Sequence, residues 1–173
     1  MRNHLALVGF MASGKSTIGK RLARTLKIPF VDTDDLIREA HGEIEDIFYN
    51  RGEKKFREIE ARVIEEALQG APSVIALGGG AVTHEPSLHA LKKHAYRIFI
   101  KVSPEQSLAR LRRSPRVRPL LGQQPSLHRV KELYEKRMPA YAHSDLTIEA
   151  TDLTTPQIVE QIVTWMHKKK IKL

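Results

Sequence analysis

The stretch GFMASGKSTIGK, residues 9–20, extends the apolar run HLALVG at 4–9 and opens a helical pattern. Gly9 to Ser16 fits G-x-x-x-x-G-K-[ST], which binds a nucleotide phosphate chain when it joins a strand to a helix. The glycines let backbone N–H groups converge on an anion, Lys15 can reach the outer phosphates, and the Ser16 hydroxyl can ligate Mg²⁺. The sequence therefore predicts a site for ATP with Mg²⁺, and leaves open which group receives the phosphate.

Short apolar runs alternate with longer helical patterns through the rest of the chain. Predicted strands occupy residues 4–9, 28–32, 73–78, 96–102 and 145–150. Predicted helices occupy residues 15–26, 33–41, 53–69, 104–113 and 126–138, with a last helix from Pro156. Ser103 with Gln106 predicts a capping box around Pro104, and Thr155 before Pro156 marks the last helix start. This alternation predicts one α/β domain over residues 1–173, with a parallel sheet and helices on both faces.

The composition is that of a globular domain, with 173 residues, of which 41% are hydrophobic and 28% are charged. There is no cysteine, which excludes a disulfide scaffold, a thiolate metal site and a thiol nucleophile. No apolar segment approaches the length of a membrane span, and no cleavable leader is recognisable. We therefore expect a soluble cytoplasmic protein with no membrane partner. We also expect a monomer, because no exposed apolar stripe is evident.

The chain has a net charge of +9, and five of its arginines lie within the nine residues RLRRSPRVR at 110–118. If this cluster were a nucleic-acid patch, its arginines would be interchangeable and binding would weaken steeply with salt. It has no interleaved aromatic residues for base stacking, which favours the expectation of no nucleic-acid partner.

Acidic residues and glycines follow two of the predicted strands. Asp32 and Asp34 end the second strand in VDTDD, and GGG at 78–80 closes the third. Ligands gather at the carboxyl ends of parallel strands, so both segments are expected in the same crevice as the phosphate loop. Any of the three aspartates at 32, 34 and 35 can also cap the following helix. Three consecutive glycines indicate that something approaches the main chain closely.

The ordered set of motifs resembles the shikimate kinase family, small P-loop kinases related to the nucleoside monophosphate kinases. It consists of GFMASGKSTIG, DTD at 32–34, IFYNRGEKKFREIE, LGGGAV at 77–82, RPLL at 118–121 and KRMPAY at 136–141. The resemblance implies a three-layer P-loop kinase sandwich, whose five-stranded parallel sheet has the order 2-3-1-4-5. It also implies a substrate-binding region at 33–60 and a mobile lid at 112–125. In this lid Arg118 would close on the transferring phosphate, whereas Arg113 and Arg116 would remain solvated. The implied reaction is phosphorylation of the 3-hydroxyl of shikimate by ATP, on the pathway to chorismate and the aromatic amino acids.

The resemblance further implies roles for individual residues. Those expected at the nucleotide are Ala12, Ser13, Gly14, Lys15, Ser16, Thr17, Arg112 and Arg118, with Ser16 and Asp32 at Mg²⁺. Those expected at shikimate are Asp34, Arg57, Glu60, Gly78, Gly79, Gly80 and Arg137, with Glu60 supporting Arg57. The expected catalytic residues are Lys15, Asp34 and Arg118.

Several points stay open in the sequence. Either Arg110 or Arg112 lies against adenine, and the adenine loop near EATDLTTP is recognisable mainly by its position. Asp34 either accepts the proton of the attacking hydroxyl or only orients that hydroxyl. A kinase for gluconate or another small hydroxy acid would share the fold and the phosphate loop. Such a kinase is not expected to combine DTD, FREIE, GGG and KRMPAY in this spacing.

Overall fold

A five-stranded parallel sheet forms the centre of the computed structural model, which describes residues 2–114 and 118–173. The strands are β1 (His4–Val8), β2 (Phe30–Asp32), β3 (Val74–Ala76), β4 (Ala95–Lys101) and β5 (Leu146–Glu149). Their order is β2-β3-β1-β4-β5, and every neighbouring pair is parallel. The predicted architecture and strand order are therefore confirmed.

Helices connect the strands and cover both faces of the sheet. They are α1 (Lys15–Leu26), α2 (Thr33–His41), α3 (Ile44–Gln69), α4 (Glu85–His94), α5 (Pro104–Arg113), α6 (Leu127–Ala142) and α7 (Thr155–Lys168), with a 3-10 helix at Ala81–Thr83. Three of them differ from the prediction. α3 begins at Ile44 and is bent at Gly52, where φ is 77°. α4 was not predicted, and α6 continues through Pro139.

The two predicted helix starts also differ in detail. The Ser103 side chain accepts a hydrogen bond from the Gln106 N–H, as an N-cap does. The Gln106 amide, however, donates to the Thr151 carbonyl at 2.7 Å instead of completing a capping box. In α7 the N-cap is Thr154 rather than Thr155, because Gln157 is placed to accept a hydrogen bond from the Thr154 N–H at 2.9 Å.

The core has two apolar layers because successive residues of a strand point to opposite faces. Ala6 and Val8 of β1 pack in one layer with residues of α3 to α6. Leu5 and Leu7 pack in the other layer with residues of α1 and α7. All five residues of β1 are buried, which explains why its residues from Leu5 to Val8 are all apolar. The sheet therefore lies between two helical layers, and its carboxyl edge carries the loops that follow β1, β2 and β3.

The predicted lid at 112–125 is described only in part. Arg113 is exposed as expected, whereas Arg116 lies outside the described residues. Beyond that gap, the N–H groups of Leu121 and Gly122 both donate to the Arg118 carbonyl at 2.8 Å. Leu121 is buried in the core. This tight turn anchors the segment that carries Arg118.

The helices of the described residues include none that is both long and apolar enough to cross a membrane.

Candidate active site

The phosphate loop between β1 and α1 has backbone conformations that depend on glycine. Gly9 has φ of 152°, and a Cβ at this position would lie 2.6 Å from the Ile100 carbonyl oxygen. Gly14 has φ of 94° and forms the N-cap of α1. Ala12 has φ of 57°, a left-handed conformation that is strained for a residue with a side chain. The loop therefore keeps its N–H groups at the helix N-terminus, where an anion is stabilised.

Lys15 lies across this loop and is buried. Its Nζ donates hydrogen bonds to the carbonyls of Gly9 and Phe10 at 2.9 Å, and to Ser13 Oγ at 3.3 Å. Burial lowers the pKa of Lys15 to about 8, while the neighbouring Asp34 acts in the opposite direction. The amine is thus fixed at the loop, where it can neutralise charge on a phosphate chain.

Ser16 and Asp32 are in direct contact at the mouth of the loop. The Ser16 hydroxyl donates to Asp32 Oδ2 at 2.5 Å. Asp32 Oδ1 accepts the Asp34 N–H at 3.0 Å, so Asp32 is the aspartate that caps α2. Within residues 2–114 and 118–173 there is no cluster of three or more acidic or histidine side chains that could hold a metal. Mg²⁺ usually takes one or two protein ligands besides phosphate and water, so the Ser16–Asp32 pair fits this ion.

A cavity of about 430 Å³ opens above the loop. Its walls include the predicted nucleotide residues Ala12, Ser13, Gly14, Lys15, Ser16, Thr17 and Arg118. Arg110 also lines it and donates to the Ala12 carbonyl at 3.0 Å. Arg112 is exposed and does not line it, because two residues along a helix turn the side chain by about 200°. Of these two arginines, Arg110 is therefore the one that lies on the wall of this cavity. Leu153 and Thr155 of the expected adenine loop contribute to the same wall.

A second, smaller cavity lies beside α3 and contains a buried ion pair. Arg57 Nη1 donates to Glu60 Oε2 at 2.6 Å, and its Nη2 donates to Glu53 Oε1 at 3.3 Å. The guanidinium lies 5.1 Å from the centroid of the Phe56 ring. Glu60 is fully buried, and burial raises the pKa of its carboxyl against the effect of Arg57. The expectation that Glu60 supports Arg57 therefore has a direct geometric basis.

The glycines at 78–80 allow side chains of the protein itself to approach the main chain. A Cβ on Gly78 would overlap Glu60, and one on Gly80 would overlap the Arg57 guanidinium. A Cβ on Gly79 would lie 3.2 Å from Arg137 Nη1. The charged side chains of the second cavity therefore pack directly against the backbone of this loop.

Two buried polar atoms at this cavity lack a partner among the described residues. They are Glu60 Oε1, an acceptor, and Arg137 Nη1, a donor. The Arg137 guanidinium lies 5.8 Å from the centroid of the Phe10 ring. Buried polar groups in proteins are nearly always satisfied, so these two atoms are suited to bind water or a polar ligand.

The two cavities meet around Asp34. Met11, Asp34, Gly79 and Arg118 line both of them. Burial raises the pKa of Asp34, and the nearby Asp32 raises it further. This carboxylate therefore lies where a phosphate in the larger cavity would face a hydroxyl in the smaller one.

Sequence reasoning missed two residues that organise this junction. The Thr33 hydroxyl donates to the Ala76 carbonyl at 3.3 Å and accepts the Gly78 N–H at 3.2 Å, which ties α2 to the glycine loop. Its position between the aspartates of DTD was the available signal. Met11 lines both cavities, and its place two residues after Gly9 in the loop gave no indication of this.

Comparison with known proteins identifies the family. A sequence model described as shikimate kinase matches residues 11–167. A shikimate kinase of Nitrobacter winogradskyi is 42% identical over 95% of this chain and 77% of its own. Another, from Bradyrhizobium diazoefficiens, is 42% identical over 92% of this chain and 77% of its own. A solved structure of shikimate kinase from Acinetobacter baumannii, in complex with shikimate, has a TM-score of 0.92 and 31% identity, covering 99% of this chain and 97% of that one. This chain therefore belongs to the shikimate kinase family.

Proposed function

We propose that this protein transfers the γ-phosphate of ATP to the 3-hydroxyl of shikimate, producing shikimate 3-phosphate and ADP. The observation that carries the proposal is the junction of two cavities at Asp34, one with a phosphate loop and one with buried arginines. Such a junction brings a donor phosphate and an acceptor hydroxyl together. Family membership identifies the acceptor class.

Arg57 and Arg137 are proposed to bind the carboxylate of shikimate. Both guanidinium groups are almost fully buried and line the acceptor cavity. The planar guanidinium fork matches a carboxylate in two-point hydrogen bonding, which a lysine does not do. Glu60, which holds Arg57 with one oxygen, has its other oxygen without a protein partner among the described residues. That oxygen is suited to accept a hydrogen bond from a hydroxyl of the acceptor.

Lys15 and Arg118 are proposed to stabilise the transferring phosphate. Lys15 is already held at the phosphate loop, and Arg118 lines both cavities. Ser16 and Asp32 would hold Mg²⁺, which supplies neutralisation of phosphate charge when bound. Arg110 is proposed to lie against the nucleotide base, since it lines the larger cavity.

Asp34 is proposed to accept the proton of the attacking hydroxyl. An ionised carboxylate is only an acceptor, so its first effect is to orient that O–H group. The raised pKa of Asp34 makes its carboxylate a stronger base than an exposed aspartate. The proton would therefore move from the hydroxyl to Asp34 as the oxygen bonds to phosphorus.

We further propose that the protein acts as a cytoplasmic monomer of one domain and binds neither nucleic acid nor membranes. In support, Tyr49 is the one large hydrophobic side chain that is exposed among the described residues. Light scattering after size-exclusion chromatography tests the monomer, and a dimer mass would contradict it.

A coupled ADP-release assay with three acceptors tests the proposed reaction. Shikimate, gluconate and a single-stranded oligonucleotide are offered in turn with ATP and Mg²⁺. We expect ADP release above the acceptor-free rate with shikimate alone. Faster release with gluconate would favour a different hydroxy-acid kinase, and stimulation by the oligonucleotide would favour a nucleic-acid-dependent ATPase.

A further inference from the structure

Tyr141 is a buried side chain beside the acceptor cavity that none of the roles above uses. It lies on α6 one turn after Arg137 and is 0% exposed. Its ring stacks on Phe99 with centroids 4.9 Å apart. Its hydroxyl donates a hydrogen bond to the Gly79 carbonyl, 62 positions away in the chain. Ring and hydroxyl are both fixed, so this side chain ties α6 rigidly to the glycine loop 78–80.

The contact fixes the peptide between Gly79 and Gly80. A trans peptide is planar, and its C=O and N–H point in opposite directions. When Tyr141 holds the Gly79 carbonyl, the Gly80 N–H points away from Tyr141. Gly80 lines the acceptor cavity. Its N–H takes part in none of the hydrogen bonds formed within the described residues, so it is available to a ligand.

Arg137 is constrained by the same phenol. Residues four apart on a helix share a face, and a Cβ on Gly79, the residue that the Tyr141 hydroxyl holds, would lie 3.2 Å from Arg137 Nη1. Burial raises the pKa of Tyr141 to about 12, so the hydroxyl keeps its proton and continues to donate at neutral pH. The Arg137 guanidinium therefore lies near both the Phe10 ring and Gly79, the residue that the Tyr141 hydroxyl holds.

We propose that Tyr141 is a positioning residue for the acceptor. Its hydroxyl fixes the Gly79–Gly80 peptide and the Arg137 guanidinium in the arrangement that binds the carboxylate and hydroxyls of shikimate. The inference rests on the proposed function. Tyr141 lines neither cavity, and Gly80 and Arg137 line the acceptor cavity but not the nucleotide cavity, so we expect Tyr141 to act through these neighbours chiefly on acceptor binding.

The test replaces Tyr141 with Phe, which keeps the stacked ring and removes the hydroxyl. Tyr134→Phe is the matched control, because Tyr134 lies on the same helix and packs edge-on against Phe10 at 5.4 Å, but its hydroxyl, unlike that of Tyr141, forms no hydrogen bond with Gly79. We expect Tyr141→Phe to raise the KM for shikimate about tenfold, as the loss of one hydrogen bond does. Its kcat should change less than about twofold, because the lost interaction stabilises the bound acceptor and the transition state equally. Its KM for ATP should also change less than about twofold. Tyr134→Phe should match the wild type in all three constants.

A double-mutant cycle with Arg137→Ala gives a second readout. If Tyr141 acts through Arg137, Tyr141→Phe should raise the KM for shikimate clearly less in the Arg137→Ala background than in the wild type. Four results would each overturn the inference. In the kinetics, these are a wild-type KM for shikimate in Tyr141→Phe, or a KM for ATP that rises as much as the KM for shikimate. The others are full additivity of the two changes in the cycle, and an unfolded Tyr141→Phe by circular dichroism. Failure of the proposed function would look different, as a wild-type protein that releases no ADP with shikimate.

Discussion

Gly80→Ala tests whether the glycine loop 78–80 holds the Arg57 guanidinium in the position that binds the acceptor. Gly80 has φ of −108°, a conformation open to alanine, so the substitution introduces no backbone strain of its own. The added Cβ would overlap the Arg57 guanidinium, with its Cζ only 2.7 Å away. Arg57 cannot move aside without losing its 2.6 Å bond to the buried Glu60. The effect should therefore fall on this ion pair.

The size of the effect follows from that bond. A hydrogen bond to a charged group contributes about 1.5–3 kcal/mol, so displacing Arg57 should weaken shikimate binding by about 2 kcal/mol. This corresponds to roughly a thirtyfold rise in the Kd for shikimate. The Kd for ATP should stay within about twofold of the wild type, because Gly80 does not line the nucleotide cavity.

Isothermal titration calorimetry with each ligand measures both constants. Gly70→Ala is the matched control, since it makes the same change at the end of α3, where a Cβ would meet only the Ala67 carbonyl at 3.4 Å. A Kd for shikimate within threefold of the wild type in Gly80→Ala would refute the idea that this loop fixes Arg57 at the acceptor.

Four further predictions address the other groups. Lys15→Ala should lower kcat more than tenfold with an unchanged melting temperature, because Lys15 contributes charge rather than packing; retention of a tenth of the turnover would contradict this. Arg118→Ala should lower kcat about a hundredfold and the exposed Arg113→Ala less than about threefold, and similar losses at fixed ionic strength would revive the basic-patch interpretation. Asp34→Asn keeps the hydrogen-bond geometry but cannot accept a proton, so kcat should fall at least about a hundredfold; a loss below tenfold would assign Asp34 to orientation alone. Burial lowers the pKa of His4 from 6.5, so below that pH the unfolded chain binds more protons than the folded protein. The free energy of unfolding in urea should therefore fall from pH 8 to pH 5, and an equal fall in His4→Gln would be the contrary result.

The sheet and the phosphate loop were predictable because each depends on short segments. β1 and β4 are rich in apolar residues, and the Gly9–Ser16 pattern requires a strand before it and a helix after it. α4 was missed because only Ser87, Leu88 and Leu91 of its ten residues are buried, which is too weak a periodicity to recognise. The first part of α3 was missed because Gly52 interrupts the helical pattern.

The site residues that belong to a sequence motif were predictable. Those whose position depends on the rotation of a helix, or on a contact with a distant segment, were not. Arg110 and Arg112 have the same chemistry, and only the rotation of α5 against the cavity distinguishes them. The bond between the Tyr141 hydroxyl and the Gly79 carbonyl joins two segments that no local pattern relates. Residues of this kind become visible only when the packing of α6 on the glycine loop is known.

Identification of the product tests the central claim most directly, namely that the two cavities meeting at Asp34 bring the γ-phosphate of ATP to one hydroxyl of the acceptor. The protein is incubated with ATP, Mg²⁺ and shikimate, and the product is examined by two-dimensional proton–phosphorus NMR. The account predicts one phosphomonoester, with its phosphorus coupled to the proton on carbon 3 of shikimate, in an amount equal to the ADP formed. Phosphorus coupled to the proton of another hydroxyl-bearing carbon, or free phosphate as the main product, would contradict it.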